Sequence, residues 1–108
     1  MIYLITQGST NHPPTGPVKI GYSLDPDKRA WELQTGNPNR LFVFAYIPGT
    51  MQQEKSLHRL LSMHSTGTGE WYHPTPEVVN MMKFIKENTI GLNAQVLIGK
   101  LLSGSFRN

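Results

Sequence analysis

The chain has 108 residues, within the range of a single domain and long enough to bury about 60–70% of its unfolded surface in one core. It contains no cysteine, which excludes disulfides and thiolate metal ligands. No run of 18 apolar residues exists to span a membrane, and the first apolar stretch, Met1 to Ile5, is too short for a signal-peptide core. Ten Lys and Arg against seven Asp and Glu leave a net charge of +3, which leans toward an anionic partner, nucleic acid first among them. The expected location is the cytoplasm.

In chain order, Met1 to Thr6 is β-branched and aromatic and reads as a strand. Gln7 to Gly16 holds no apolar residue and is a loop. Val18 to Tyr22 alternates, with Val18, Ile20 and Tyr22 on one face and Lys19 and Gly21 on the other, so the two strands form a wide hairpin. Asp25-Pro26 starts a helix, aspartate as N-cap and proline at the first turn, which runs to about Thr35 and stops at Gly36. Leu41 to Ile47 is apolar on both faces and reads as a third, central strand. Thr50 with Gln53 makes a capping box for a helix to about Met63, with Leu57, Leu60 and Leu61 as its buried stripe.

His64 to Gly69 reads as a flexible loop and Glu70 to His73 as a short strand or turn. Thr75-Pro76 opens a helix to about Asn88, with Val78, Met82 and Ile85 on its inner face. Asn93 starts a short helix over Ala94 to Leu102, and the end frays. The expectation is an α+β fold with a small, mostly antiparallel sheet of about three strands flanked by helices, in the order β-β-α-β-α-(β)-α. Residues 1–108 form one domain, with 2–88 as core and 89–108 as a C-terminal extension.

Three groups stand out chemically. Tyr3 and Lys19 each oppose the apolar face of their strand, so pairing sets a phenol and an ammonium on one surface; a half-buried tyrosine and a snorkelling lysine are the plainer account. Arg29 lies early in its helix, and its fork matches a phosphate better than any other side chain. Glu54 and His58, at i and i+4, share a helix face bordering the Leu57/Leu61 stripe. The histidines His58, His64 and His73 match no zinc spacing, and Gly99-Lys100 lacks the rest of a P-loop.

The order Ile2-Tyr3, Lys19-Ile20-Gly21, Arg29, Glu54-Lys55-Ser56-Leu57-His58 and Gly69-Glu70-Trp71-Tyr72 resembles the GIY-YIG endonuclease superfamily, and most of all its short phage and bacterial branch with the pattern VKIG…R…ExxLH…GEW. The first-motif glycine position is Met1, and Lys19 stands for the second-motif tyrosine. Asn80 and Asn88 are the two candidates for the family's late asparagine. The resemblance implies a metal-dependent endonuclease, a hydrolase of DNA phosphodiester bonds using one Mg²⁺ or Mn²⁺. Glu54 would be the metal ligand, and Tyr3, Lys19, Arg29 and Glu54 the catalytic set. Tyr22 and His58 are supporting residues, and Lys28, Arg40, Lys55 and Arg59 contact the DNA backbone.

Lys19 and Tyr3 share the base role in this reading. Half-neutralising a lysine at pH 7 takes roughly 4.6 kcal/mol; otherwise Lys19 stays charged, and the phenolate or a hydroxide on the metal takes the proton. Glu70 reaches a nearby Lys or Arg while Trp71 packs. The partner is double-stranded or branched DNA, with target choice resting on the loops, on a homodimer or on a targeting partner. The alternative is a catalytically inactive nucleic-acid-binding module on the same scaffold, and a third reading is a protein-interaction factor.

Overall fold

The computed structural model describes residues 1–7 and 16–107. Its elements are β1 (Ile2–Gln7), β2 (Val18–Tyr22), α1 (Pro26–Gln34), β3 (Leu41–Ile47), α2 (Met51–Leu60), a 3₁₀ turn (Ser62–His64), β4 (Trp71–Tyr72), α3 (Pro76–Glu87) and α4 (Ala94–Leu102). The four strands form one antiparallel sheet in the order β3-β1-β2-β4.

The helix starts arise from local chemistry. Asp25 accepts from the Lys28 N–H, and Pro26 follows it. Thr50 and Gln53 close a reciprocal capping box, Thr75 accepts from Val78 with Pro76 behind it, and Asn93 accepts from Val96. Each cap satisfies amide groups that the first turn leaves without a partner. Gly36 takes a positive φ of 81° just after α1, a conformation that ends a helix at little cost only for glycine.

The sheet separates two apolar clusters. Ile2, Leu4, Val18 and Ile20 face the main core, shared with Leu57 and Leu61 of α2, with Val78, Met81, Met82 and Ile85 of α3, and with Ala94, Leu97 and Leu101 of α4. The opposite face carries Tyr3, Ile5 and Leu41, packed with Ala30 and Leu33 of α1 and with Trp71. The fold is therefore α1 on one side of the sheet and three helices on the other.

Three readings of the sequence are corrected, and the bracketed strand of the expected order is filled in. β3 is an edge strand, and β1 and β2 are central; β3 is apolar on both faces because Leu41 and Val43 join the α1 cluster while Phe44 and Ile47 join the main core. The bracketed strand is real, giving four strands, although β4 has two residues. α2 ends at Leu60 and the chain tightens into the 3₁₀ turn before Met63. Residues 64–69 are tied down: Ser65 bridges Tyr72, the Thr66 amide and hydroxyl both donate to the Trp71 carbonyl, and the Ser65 and Thr66 hydroxyls accept from amides two residues on. The interior of the Gln7 to Gly16 loop lies outside the described residues.

Candidate active site

The register of β1 and β2 sets the first two groups. Tyr3 lies directly opposite Gly21, and Ile5 opposite Lys19. Cross-strand partners share a face, so the phenol and the ammonium stand on the α1 side, one diagonal step apart. Tyr3 is 2% exposed and Lys19 9%. The ring of Tyr3 lies over Gly21, where a Cβ would come within 2.2 Å of the phenol oxygen. The Arg29 guanidinium of α1 lies near enough to the same phenol to favour its charged form. Burial nonetheless outweighs the guanidinium and pushes the Tyr3 phenol up from 10.0.

The remaining groups come from the other side of the sheet. Counting round α2 at 100° per residue, Leu57 and Leu61 point into the core, Glu54 and His58 border them, and Lys55 and Arg59 lie further round toward solvent. Tyr72 of β4 pairs with Val18, on the face that α2 covers, and its hydroxyl and His58 Nδ1 are hydrogen-bonded, with the rings stacked at 5.6 Å. β4 pairs with β2 only at Val18 and Lys19. Among the described residues no strand therefore pairs with the β4-side edge of β2 beyond Lys19, and side chains from the two faces meet round this rim. Glu70, whose carbonyl accepts from the Ile20 amide, sits there.

Glu70 joins the two halves. Its carboxylate lies 3.6 Å from Lys19 Nζ, whose charge also sits 5.6 Å from the Trp71 ring centre. Glu54 Oε1 is 3.7 Å from His58 Nε2, and one donor atom each from Glu54, His58 and Glu70 lie within 4.8 Å of one another. Among the described residues, His58 Nε2 is a buried polar atom with no hydrogen-bond partner.

The electrostatics follow from burial and from two carboxylates in one place. Burial and the Glu70 charge raise Glu54 above 4.5, against the pull of Lys19 and Lys55. Burial holds His58 below 6.5, so its imidazole is neutral at pH 7. The Tyr72 phenol is pushed up to about 12 by burial, then by Glu70 and Glu54, and keeps its proton. Tyr3 also senses the charges of Glu70 and Glu54, which places all these groups within electrostatic reach of one another.

Five of the residues singled out in the sequence thus gather at one rim: Tyr3, Lys19, Arg29, Glu54 and His58. Tyr22 packs against the main core. Lys55 and Arg59 line an open groove of about 730 Å³ with Thr50, Gln52 and Ser56. Lys28 is exposed in the first turn of α1, and Arg40 is exposed with its guanidinium 5.6 Å from the Phe42 ring. The Asn80 amide donates to the Phe106 carbonyl, and the Asn88 amide to Phe84 at the end of α3. His64 bonds Thr75 and Glu77, outside the Glu54 cluster.

Glu70 and Tyr72 are the site groups that sequence reasoning missed. Both lie in a segment read as architectural, 16 and 18 residues from Glu54, and only the pairing of β4 with β2 brings them to α2. The available signal was strand alternation, which sets Trp71 beside Lys19 and turns Tyr72 toward the opposite face.

A family model described as the T5orf172 domain matches residues 1–86. The chain belongs to that family, whose domains are nuclease-like. No curated protein and no solved structure matches the chain.

Proposed function

We propose that this T5orf172-family chain is a metal-dependent endonuclease of the GIY-YIG type, hydrolysing DNA phosphodiester bonds at the rim of β2. The observation that carries the reading is the convergence of a phenol, an amine, a guanidinium and a carboxylate from β1, β2, α1 and α2. Packing alone gives no reason to bury Lys19 and Glu54 together with Tyr3.

The donor set fits a divalent cation, Mg²⁺ or Mn²⁺. Glu54 offers the hard carboxylate oxygen that such ions take, and beside it a buried imidazole nitrogen has no other partner among the described residues. A cation held by Glu54 would supply positive charge to the phosphate and to the departing oxygen.

The chain's own groups account for the rest. Hydrolysis adds a water oxygen to phosphorus, breaks the bond to one sugar oxygen and moves a proton from the water toward that leaving oxygen. The fork of Arg29 spans two phosphate oxygens and opposes the charge that builds on them. Tyr3, kept protonated by burial, holds the attacking water by hydrogen bonding, and Lys19 takes the water's proton only after its ion pair with Glu70 is released and the ammonium has given up its own proton to solvent. Lys55 and Arg59, with Lys28 and Arg40 on the α1 side, add sequence-independent attraction to the DNA backbone.

Supercoiled plasmid incubated with the protein tests this reading. Nicking in Mg²⁺ or Mn²⁺ that stops in EDTA and is lost in Arg29→Ala supports it. A gel shift without nicking in either metal replaces it with the inactive binding module, and neither nicking nor a shift leaves a protein-interaction role.

A further inference from the structure

We propose that Glu54, His58 and Glu70 together form a cation site of one imidazole nitrogen and two carboxylates, which binds a first-row transition cation such as Mn²⁺ in preference to Mg²⁺. The proposal rests on the nuclease reading for the use made of the cation, and it goes beyond a single glutamate ligand.

Three independent features support it. The first is spacing. Neighbouring ligands about 2.1 Å from one octahedral ion sit about 3 Å apart and opposed ones about 4.2 Å. His58 Nε2 and Glu54 Oε1 are already at 3.7 Å, and the full set spans no more than 4.8 Å. A small closing movement of Glu70, which is 43% exposed at its side chain, completes it.

The second is the orientation of His58. A metal-binding histidine uses one ring nitrogen as ligand and fixes the other through a hydrogen bond. Here Nδ1 is engaged by the Tyr72 hydroxyl, while Nε2 is buried and has no hydrogen-bond partner among the described residues. With Nδ1 carrying the proton and donating to the phenol oxygen, the Nε2 lone pair is directed at Glu54. A buried nitrogen left without a partner costs about 1–3 kcal/mol, and a bound cation removes that cost.

The third is charge. Two carboxylates share the cluster, and the nearest positive group to Glu70 is Lys19 at 3.6 Å. A divalent cation takes over the neutralising role and leaves the Lys19 amine free to face a phosphate. Imidazole nitrogen binds transition cations far better than it binds Mg²⁺, whose preferred ligands are oxygens and water.

The test is direct binding of Mn²⁺ and Mg²⁺ to the full chain without DNA, by calorimetry and by loss of the free Mn²⁺ EPR signal. Wild type is expected to bind Mn²⁺ at least about tenfold tighter than Mg²⁺. Glu70→Gln, at an exposed position that leaves packing intact, should weaken both cations about tenfold and keep their ratio. His58→Gln should bring the ratio close to one. Tyr72→Phe, which keeps the ring but frees the tautomer, should lose Mn²⁺ affinity by about 10- to 100-fold, as outer-shell changes typically do; it reads the same claim if His58→Gln fails to fold. Wild-type affinity for Mn²⁺ in Glu70→Gln and Tyr72→Phe overturns the proposal, as does equal binding of Mn²⁺ and Mg²⁺ by the unaltered chain. Plasmid nicking that persists alongside either result leaves the nuclease reading standing and removes only this one.

Discussion

The phenol of Tyr3 lies on the bare face of Gly21, so close that a Cβ there would stand 2.2 Å from the phenol oxygen. The two residues are cross-strand partners in the middle of the sheet, and the missing side chain of one is the seat of the other. Gly21→Ala should therefore push the Tyr3 ring away from Arg29. Overpacking of this kind costs about 1–3 kcal/mol, while a displaced catalytic group costs about a hundredfold in rate. Thermal unfolding followed beside plasmid nicking checks both numbers, and the rate should fall far more than the melting temperature.

Lys19 is held between the Glu70 carboxylate and the Trp71 ring. If its amine receives the proton of the attacking water, Lys19→Met removes general-base help worth about 10²–10⁴-fold. The methionine fills a similar volume, so the fold should persist. Single-turnover cleavage rates at one pH, with melting curves of the same samples, should show the loss without a loss of fold. A wild-type rate would move the proton role elsewhere.

Glu54 carries a stability penalty in the absence of a cation. Its carboxyl is raised above 4.5 in the folded chain, first by burial and then by Glu70. A group of this kind contributes its full stability below 4.5 and loses it as pH rises through the folded value. Glu54→Gln should thus melt higher than wild type at pH 7 without metal, and the difference should vanish below about pH 4. The scale is set by about 4–8 °C per 1 kcal/mol in a domain of this size. Melting curves at pH 4 and pH 7 in EDTA read the effect directly.

Residues beyond the matched span also hold the fold. Ala94, Leu97 and Leu101 of α4 are buried in the main core, and the Ala94 amide donates to the Pro48 carbonyl just ahead of α2. Leu97→Ala should cost about 2–5 kcal/mol, read by urea unfolding, and should lower activity only through the folded fraction.

Much of this architecture was legible in the sequence because it is set locally. Asp25-Pro26, Thr50 with Gln53, Thr75-Pro76 and Asn93 each cap a helix with their own side chains, and the alternation in Val18 to Tyr22 assigns Lys19 and Gly21 to one face. Tyr3, Lys19, Glu54 and His58 were found because each is polar at a position bordering apolar neighbours, and Arg29 because its fork early in a helix suits a phosphate. The edge position of β3 was hidden because burial by helices on both faces leaves the same apolar pattern as a central strand. Glu70 and Tyr72 were hidden because their role depends on a two-residue strand reaching across to β2, a long-range pairing that local periodicity does not encode.

Single-turnover cleavage of an end-labelled duplex by Glu54→Gln, with DNA affinity measured on the same samples, probes the nuclease reading at its centre. Removing the carboxylate while keeping its shape should abolish cleavage in both Mg²⁺ and Mn²⁺, by about a thousandfold or more on the scale of lost electrostatic stabilisation, with DNA binding unchanged or tighter. Cleavage by Glu54→Gln at the wild-type rate would contradict it, whatever the other residues at the rim of β2 then did.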